Sequence, residues 1–283
     1  MSNFYRKLLS VNKPLASITA TNAIFNVTEQ FNARKSNKWP TKFPVDILVV
    51  GGGAGGNGIS PGTNPGIGGS GGKVTSTSTI IIPGLYSVTV GAGGPSDYSF
   101  GSIGGNSTFV GVTDPTFVKV AIGGQGAGGV GASGAGVDAN YVSGIGVTSS
   151  IISTALATFS GVGEVYGGQV WFGGAGASSL GGFSPVGGGR GIGGSGAYLQ
   201  PGTNRTGGGG GGWQDAFVSQ TGYPYSGTTG GSGIVIIRVP DWVPAAKAAY
   251  NILTYNNGLI VGAPYSIGYT TYIFTGDGSI NFY

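Results

Sequence analysis

The sequence has no cysteine and no histidine among its 283 residues. The absence of cysteine excludes a disulfide framework and thiolate metal sites, and the absence of histidine removes the commonest catalytic base and metal ligand. Charged residues make up only 8% of the chain. No apolar run approaches the ~20 residues that span a bilayer, so we expect no membrane span. The N-terminus lacks the sustained apolar core of a signal peptide.

The few charges are unevenly distributed. Residues 1–42 hold seven basic residues and a single acidic one, Glu29. A basic arm is typical of nucleic-acid binding, but these charges are scattered and have no aromatic platform beside them. We therefore predict that residues 1–43 dock on another protein, and we expect no nucleic-acid partner.

Glycine supplies 63 residues, about three times its average share. Yet 39% of the chain is hydrophobic, with 14 Tyr and 13 Phe, which is not typical of a disordered chain. Runs of β-branched and aromatic residues bounded by Gly or Pro predict strands. These runs cover residues 45–50, 73–82, 85–90, 107–112, 116–122 and 233–240.

Composition divides the chain into three zones. They are an N-terminal docking segment (1–43), a glycine-rich domain (44–240) and a small C-terminal β segment (241–283). In the last zone, YTTYIFTGDGSINFY places two strand-like runs around Gly276, Asp277 and Gly278. A short turn sequence containing Asp-Gly between such runs predicts a hairpin.

The glycine tracts repeat. GIGGSG occurs at 66–71 and again at 191–196, and in both copies two of every three residues are Gly. Three residues per turn is the period of the polyproline-II helix, which has no internal hydrogen bonds and must find backbone partners on its neighbours. We therefore predict a mainly β fold with packed glycine-rich polyproline-II-like segments and very little helix.

Gly51, Gly53 and Gly56 satisfy the dinucleotide motif G-x-G-x-x-G after an apolar strand. That motif also needs a following helix and an acidic residue about 20 positions on. The sequence that follows, NGISPGTNPGIGGSGGK, is too rich in Pro and Gly for a helix, and no acidic residue lies between Asp46 and Asp97. The dispersed carboxylates predict neither an acid–base pair nor a calcium loop. We expect no catalytic activity, no cofactor and no metal.

Five stretches follow one another in order: VDILVVGGGAGG (45–56), YSVTVGAGG (86–94), GGNSTF (104–109), VKVAIGGQGAGG (118–129) and GGSGIVIIRVP (230–240). Together they resemble the glycine-rich domain of tailed-bacteriophage tail-fibre and other virion appendage proteins. The resemblance implies a non-enzymatic tail-fibre or appendage subunit of the virion that takes part in host-surface recognition. It also implies loops between glycine tracts that contact a bacterial surface glycan or outer-surface protein, and a homo-oligomer, a trimer by analogy.

Aromatic residues among the glycine tracts are the candidate receptor contacts, because flat rings offer a large contact area at low entropic cost. They are Trp171, Phe172, Trp213, Tyr223 and Tyr225, with Arg190, Arg205 and Asp215 as polar neighbours in sequence. The same rings are suited to capping the open ends of a glycine array or packing against another subunit. The sequence leaves both interpretations open.

Three alternative functions stay open beside host recognition. One is a purely structural neck, baseplate or capsid-associated protein, with the glycine body as a spacer. The second is a dinucleotide-binding enzyme, which bound nucleotide in the purified protein would support. The third is an extracellular wall protein, which the absence of a signal peptide disfavours.

Overall fold

The computed structural model describes residues 42–58, 66–97, 101–126, 144–177, 200–212, 227–240, 243, 246–249, 252–256 and 268–283. Residues 1–41 of the predicted docking segment lie outside the described residues, and so does the second GIGGSG copy at 191–196.

Five antiparallel strands form a first sheet. In pairing order they are β11 (Ile252–Asn256), β12 (Tyr269–Phe274), β9 (Ile234–Pro240), β1 (Phe43–Val50) and β2 (Val74–Ile81). Strand β1 pairs with β2 over its whole length and with β9 over its second half. Its residues Ile47 and Val49 face one side of the sheet and Leu48 and Val50 the other, all of them buried. A strand covered on both faces is a continuous apolar run.

A second antiparallel sheet packs on one face of the first. In pairing order its strands are β10 (Lys247–Ala249), β13 (Gly278–Phe282), β3 (Gly84–Thr89), β4 (Ser107–Gly111) and β5 (Val118–Ala121). Inward-facing side chains of both sheets form the main core. At its centre the ring of Tyr86 stacks on Phe109 at 5.0 Å and meets Phe282 edge-on at 6.0 Å. The two sheets are called the sandwich below.

A smaller layer covers the other face of the first sheet. It consists of helix α1 (Thr154–Ser160) and a third sheet of β6 (Val147–Thr148), β8 (Gln169–Phe172) and β7 (Glu164–Tyr166), in the pairing order β6-β8-β7. Leu156 and Phe172 from this layer pack on Ile236 of the first sheet in a second buried cluster. The Oγ of Ser153 caps α1 by accepting from Leu156 N at 3.2 Å.

At one end of the sandwich the strands run into glycine-rich tracts that pack side by side. We call these tracts the glycine lattice; its described members are residues 51–57, 66–73, 91–97, 101–106, 122–126, 173–177, 200–203, 207–212 and 227–233. Buried Ser107 ties the lattice to the sandwich, since its Oγ donates to Val50 O at 2.6 Å and accepts from Gly91 N at 2.8 Å. The lattice therefore continues the strands of both sheets in one direction.

Tract 51–57 lies at the centre of the lattice and bonds to its neighbours with a period of three residues. Its amides donate in rotation to tracts 66–73, 101–106 and 227–233, over N···O distances of 2.8–3.0 Å. Gly51, Ala54 and Asn57 thus donate to the first of these tracts. Its carbonyls accept from three further segments, at Gly94, Gly124 and Gly210 among others. Six segments therefore surround the central tract, as expected for three-residue helices that bond only to one another.

The tracts approach so closely that only glycine fits at the contacts. A Cβ built on Gly52 would lie 2.0 Å from the carbonyl oxygen of Ala92, and one on Gly53 would lie 2.0 Å from that of Gly208. No side-chain motion relieves such an overlap, because both partners are backbone atoms. The predicted fold class, mainly β with packed glycine-rich segments and very little helix, is confirmed.

The six strands predicted from the sequence are also confirmed. They correspond to β1, β2, β3, β4, β5 and β9, with ends that differ from the predicted ones by no more than two residues. These strands stand out in the sequence because glycine or proline lies at, or within three residues of, both ends of each apolar run.

The predicted C-terminal hairpin is wrong. Strands form on both sides of Asp277, but β12 pairs with β9 and β11 in the first sheet, and β13 pairs with β3 and β10 in the second. Four consecutive residues of β12, from Thr271 to Phe274, are buried, so this strand needs cover on both faces. In the turn, Asp277 Oδ1 accepts from Val90 N at 2.8 Å, which fixes it to the second sheet. The turn therefore crosses between sheets.

A partly buried ion pair links three neighbouring strands of the first sheet. Arg238 on β9 donates from Nε and Nη2 to Asp46 Oδ2 on β1, at 3.0 and 2.8 Å, and Ser78 on β2 donates to Asp46 Oδ1 at 2.6 Å. Burial raises the pKa of Asp46, but the hydrogen bonds from Ser78 and Arg238 and the charge of Arg238 outweigh it and lower that pKa below 3.8. The Arg238 guanidinium also lies 4.8 Å from the ring of Tyr269.

The lattice predicts a strong penalty for a side chain at Gly68, in the described GIGGSG copy. A Cβ there would lie 2.1 Å from Gly176 O. We expect Gly68→Val to destabilise the fold by more than about 3 kcal/mol, or to abolish soluble protein. Ala92→Val, at an exposed position of another tract, is the matched control and should fold normally. A Gly68→Val protein with wild-type urea denaturation would contradict the packing of this tract.

The ion pair predicts a pH-dependent loss for Asp46→Asn. Because the pKa of Asp46 is lower in the folded chain, the carboxylate stabilises the fold fully above its ordinary value of 3.8 and loses that effect as pH falls through the lowered value. We expect a loss of about 1–2 kcal/mol at pH 7 that shrinks towards zero in acid, measured by urea denaturation across pH. The control is Asp114→Asn, which removes a carboxylate that accepts from Thr116 in its own turn. A pH-independent difference would contradict this assignment.

Candidate functional site

The dinucleotide-like glycines are engaged within the lattice. The amides of Gly51, Gly53 and Gly56 donate to Lys73 O, Gly231 O and Thr228 O at 3.0, 2.9 and 2.8 Å. A phosphate-binding turn requires such amides to point at the ligand from the start of an α-helix, whereas residues 51–58 contain no α-helix. This stretch is therefore the central tract of the lattice.

The lattice ends in a face that lies opposite the sandwich. Here Asn57 N donates to Ile67 O, Gly58 N to Asp97 O, Gly211 N to Gln200 O and Gly212 N to Ala177 O, at 2.9–3.2 Å. We call this end the distal face; it comprises residues 57, 58, 66, 67, 97, 101, 177, 200, 211, 212, 227 and 228. The chain leaves the described lattice at this face and re-enters it at the same face four times, between residues 58 and 66, 97 and 101, 177 and 200, and 212 and 227.

Three of the five candidate receptor contacts, and two of their polar neighbours, belong to two of these connecting stretches. Trp213, Tyr223 and Tyr225, together with Asp215, fall between residues 212 and 227, and Arg190 falls between residues 177 and 200. All five lie outside the described residues, so their role as contacts stays a prediction.

The neighbouring pair Trp171 and Phe172 lies in β8, and the two side chains have different surroundings. Phe172 is completely buried, in the cluster that joins the third sheet to the first. It is a packing residue in this chain and does not reach the surface. Trp171 is partly exposed on the opposite face of β8, and its Nε1 donates to Tyr166 O at 3.2 Å.

Arg205 also has a structural setting. It has a left-handed backbone (φ 65°), its amide donates to Ser232 Oγ at 3.0 Å, and its guanidinium Nη1 donates to Ser160 O in the last turn of α1 at 3.3 Å. A cation at a helix C-terminus satisfies an end carbonyl and opposes the helix dipole. Arg205 therefore joins α1 to the lattice.

The outward face of the third sheet gathers five polar and aromatic side chains, of which the sequence alone predicts only Trp171 as a contact. Trp171 pairs with Glu164 on β7 and with Thr148 on β6, and Gln169 pairs with Tyr166. Cross-strand partners and alternate residues of a strand share one face, so these five side chains lie together. The sequence does contain a signal for this hairpin. In EVYGGQVWF two short strand-like runs flank the pair Gly167-Gly168, and both glycines have positive φ, as a two-residue hairpin turn requires.

Two further features of the described residues bear on function. No helix in them is long and apolar enough to cross a membrane. They also contain no group of three or more His, Cys, Asp or Glu side chains placed to hold a metal ion.

The fold defines a class of protein in which a β-sandwich is prolonged by a lattice of glycine helices. Within that class the chain belongs to the glycine-rich domain family, whose family model matches residues 34–240. No curated protein and no solved structure matches the chain. The family's description refers to composition alone, so the resemblance to phage appendages stays a prediction.

The two faces of β8 predict different effects for its two aromatic residues. Phe172→Ala removes a fully buried ring and should cost about 3–5 kcal/mol in the free energy of unfolding. Trp171→Ala removes a partly exposed ring and should cost less than about 1 kcal/mol. Urea denaturation of both variants measures the difference. Equal losses would make Trp171 a packing residue and remove it from the candidate surface.

Proposed function

We propose that the chain is a non-enzymatic structural component of a tailed-phage virion, a tail-fibre or tail-appendage subunit that takes part in host-surface recognition. The observation that carries the proposal is that the two ends of the molecule differ, with the sandwich at one end and the distal face at the other. The chain enters the sandwich at Phe43, beside Phe282 at 5.2 Å between ring centroids, and β1 then runs straight into the central tract of the lattice. An eight-residue strand followed by a seven-residue glycine helix separates the entry point from the distal face by roughly 45 Å.

This difference between the two ends suits a spacer that attaches at one end and presents binding residues at the other. Residues 1–43, with their excess of basic side chains, would dock on other virion proteins at the sandwich end. The four connecting stretches at the distal face would be presented to the host, among them the stretch that contains Trp213, Tyr223 and Tyr225. Connecting segments held on a rigid scaffold are the usual place for binding residues.

The hydrogen bonding of the lattice supports a structural role over an enzymatic one. The amides that a cofactor phosphate would use are bonded to neighbouring tracts. Backbone packed at this density leaves little freedom for the domain closure or lid motion that many enzymes use. A stiff body that holds its ends apart is what an appendage subunit needs.

Association into a homo-oligomer, a trimer by analogy, is part of the proposal. Val118, Val120 and Ile122 are each 40–48% exposed along the edge strand β5 and the residue after it. Exposed apolar side chains in one row are typical of a surface that another chain covers, and a second copy of this chain is the partner we propose.

A purely structural neck, baseplate or capsid-associated protein is the second candidate. The complete burial of Phe172 favours it, because one of the aromatics that the sequence offers as a receptor contact serves packing. In that role the same lattice would act as a spacer without a receptor.

Labelling of assembled particles separates these functions. Two antibodies, one raised against residues 1–41 and one against residues 213–226, would be applied with immunogold to intact particles, with pre-immune sera as controls. We expect the second antibody to label the outer end of fibres or tail appendages and the first to label a site nearer the particle body. Label from both antibodies at the neck, tail base or head would support the spacer role. Particles that bear neither label would contradict both virion roles.

A further inference from the structure

A polar cleft opens at the end of the third sheet, where the turn between β7 and β8 faces the loop that precedes α1. Its volume is about 320 Å³, at the small end of the range for ligand sites. Its walls carry hydroxyl and amide groups, from Thr148, Ser149, Ser150, Ser153, Thr154 and Gln169. Buried Ile152 and Val170 form an apolar floor.

Two of the hydroxyl groups in the cleft are held in place and keep hydrogen-bonding capacity. Ser149 Oγ accepts from Ile151 N at 3.3 Å, and Ser153 Oγ accepts from Leu156 N at 3.2 Å. A serine hydroxyl that accepts from the backbone still has its proton to donate. Gln169 is exposed at the rim, and its carboxamide supplies both a donor and an acceptor. The cleft thus presents fixed donors and acceptors to a ligand rich in hydroxyls.

The side chains that line the cleft are all uncharged. Two charged groups border the site: Arg238, which donates to Ser150 O at 3.2 Å and is paired with Asp46, and Glu164, which lies opposite Trp171 on β7. The Glu164 carboxylate would repel an anionic ligand, and the charge of Arg238 is already balanced by Asp46. A neutral polyhydroxylated ligand satisfies the donors and acceptors without burying an unpaired charge.

Two aromatic residues, Trp171 on β8 and Tyr166 on β7, lie on the outward face of the third sheet, outside the lining of the cleft itself. Trp171 is two residues along β8 from Gln169 and pairs with Thr148, so it shares their face. The bond from its Nε1 to Tyr166 O holds the indole against the sheet, and the Tyr166 side chain is 52% exposed. A rigid ring with an apolar face beside amide and hydroxyl groups suits a ligand with one apolar face and a polar rim, as a hexose has.

We propose that this cleft and the adjoining Trp171 bind one or two sugar units of a neutral glycan on the host surface. The inference rests on the proposed function, because it identifies the surface partner as a glycan and places a binding site on the flank of the molecule. A shallow site of this size binds weakly, on the order of millimolar, and several copies on one particle supply the avidity.

Saturation-transfer NMR on the full chain tests the cleft directly. The probes are neutral disaccharides of glucose, galactose, mannose and N-acetylglucosamine, and the acidic sugars sialyllactose and glucuronic acid. We expect saturation transfer to at least one neutral probe and none to the acidic ones. Transfer to acidic probes alone, or to none of the probes, would overturn the proposal.

Two cleft variants locate the binding. Gln169→Ala removes the amide, and Thr148→Val removes a hydroxyl while keeping shape and β-branching. Each should weaken binding of the neutral probe about fivefold, as expected for one lost hydrogen bond. Ser87→Ala, at an exposed position of β3 in the second sheet, is the control and should bind normally. Thr148→Val keeps the test valid if Gln169→Ala fails to fold, and unchanged binding in folded Thr148→Val would place the sugar elsewhere.

Competition for host cells separates this inference from the proposed function. Purified chain displayed in many copies on beads, which gives it the avidity of a particle, should block adsorption of particles to untreated and protease-treated cells. Periodate oxidation of cell glycans should abolish adsorption. If wild-type chain and both cleft variants compete equally, or if protease alone abolishes adsorption, the cleft proposal fails and host recognition stands. If the wild-type chain does not compete and the antibody against residues 213–226 does not label the outer end of the particles, the proposed function fails too.

Discussion

Backbone-to-backbone hydrogen bonding between glycine tracts is the interaction on which the rest of this structure depends. In the central tract every amide from Gly51 to Asn57 donates to a carbonyl of another tract. Each tract bonds to several neighbours at once. Buried amides left unpaired would each cost about 1–3 kcal/mol, so the tracts are stable only as a packed set. The lack of Cβ atoms makes this possible, because side chains would separate the backbones before their hydrogen bonds could form.

The same constraint sets the shape of the molecule. Side chains can pack in the sandwich, whose two sheets bury one aromatic and aliphatic core, but the lattice has almost none to pack. The two parts are therefore joined end to end through continuous strands and through bonds such as those of Ser107. Four pairs of described tract ends lie at the distal face because tracts that bond over their whole length carry the chain from the sandwich to the far end of the lattice. This geometry relates a glycine-rich composition to a proposed role in presenting loops at a distance.

Local patterns explain how much of the fold could be predicted. The strand at 45–50 and the period of three in GIGGSG depend on neighbouring residues, so the sequence reveals them. Pairing across distance does not follow from such patterns. YTTYIFTGDGSINFY has the local sequence of a hairpin, and its strands join different sheets because four consecutive residues of β12 need cover on both faces. The two strands pair with β9 and β3, which belong to different sheets and come from other parts of the sequence.

The candidate site was harder to predict than the fold. Trp171 and Phe172 are adjacent and both aromatic, yet one lies at the surface and the other in the core, and only the register of β8 separates them. The cleft combines a loop, a helix start and a strand from different parts of the sequence, all of ordinary polar residues. Serine and threonine are common in this chain, so their composition alone carries no signal of a site.

Amide hydrogen exchange in the central tract tests the account most directly. The amides of Gly51, Gly53 and Gly56 should exchange as slowly as those of Leu48 and Val50 in the adjoining strand, and should lose protection only when the whole fold unfolds. Such a result would show that lattice and sandwich form one cooperative body. Rapid exchange at the glycines beside a protected strand would contradict the account. A loose tract could not hold the distal face in place or keep it at a fixed distance from the sandwich.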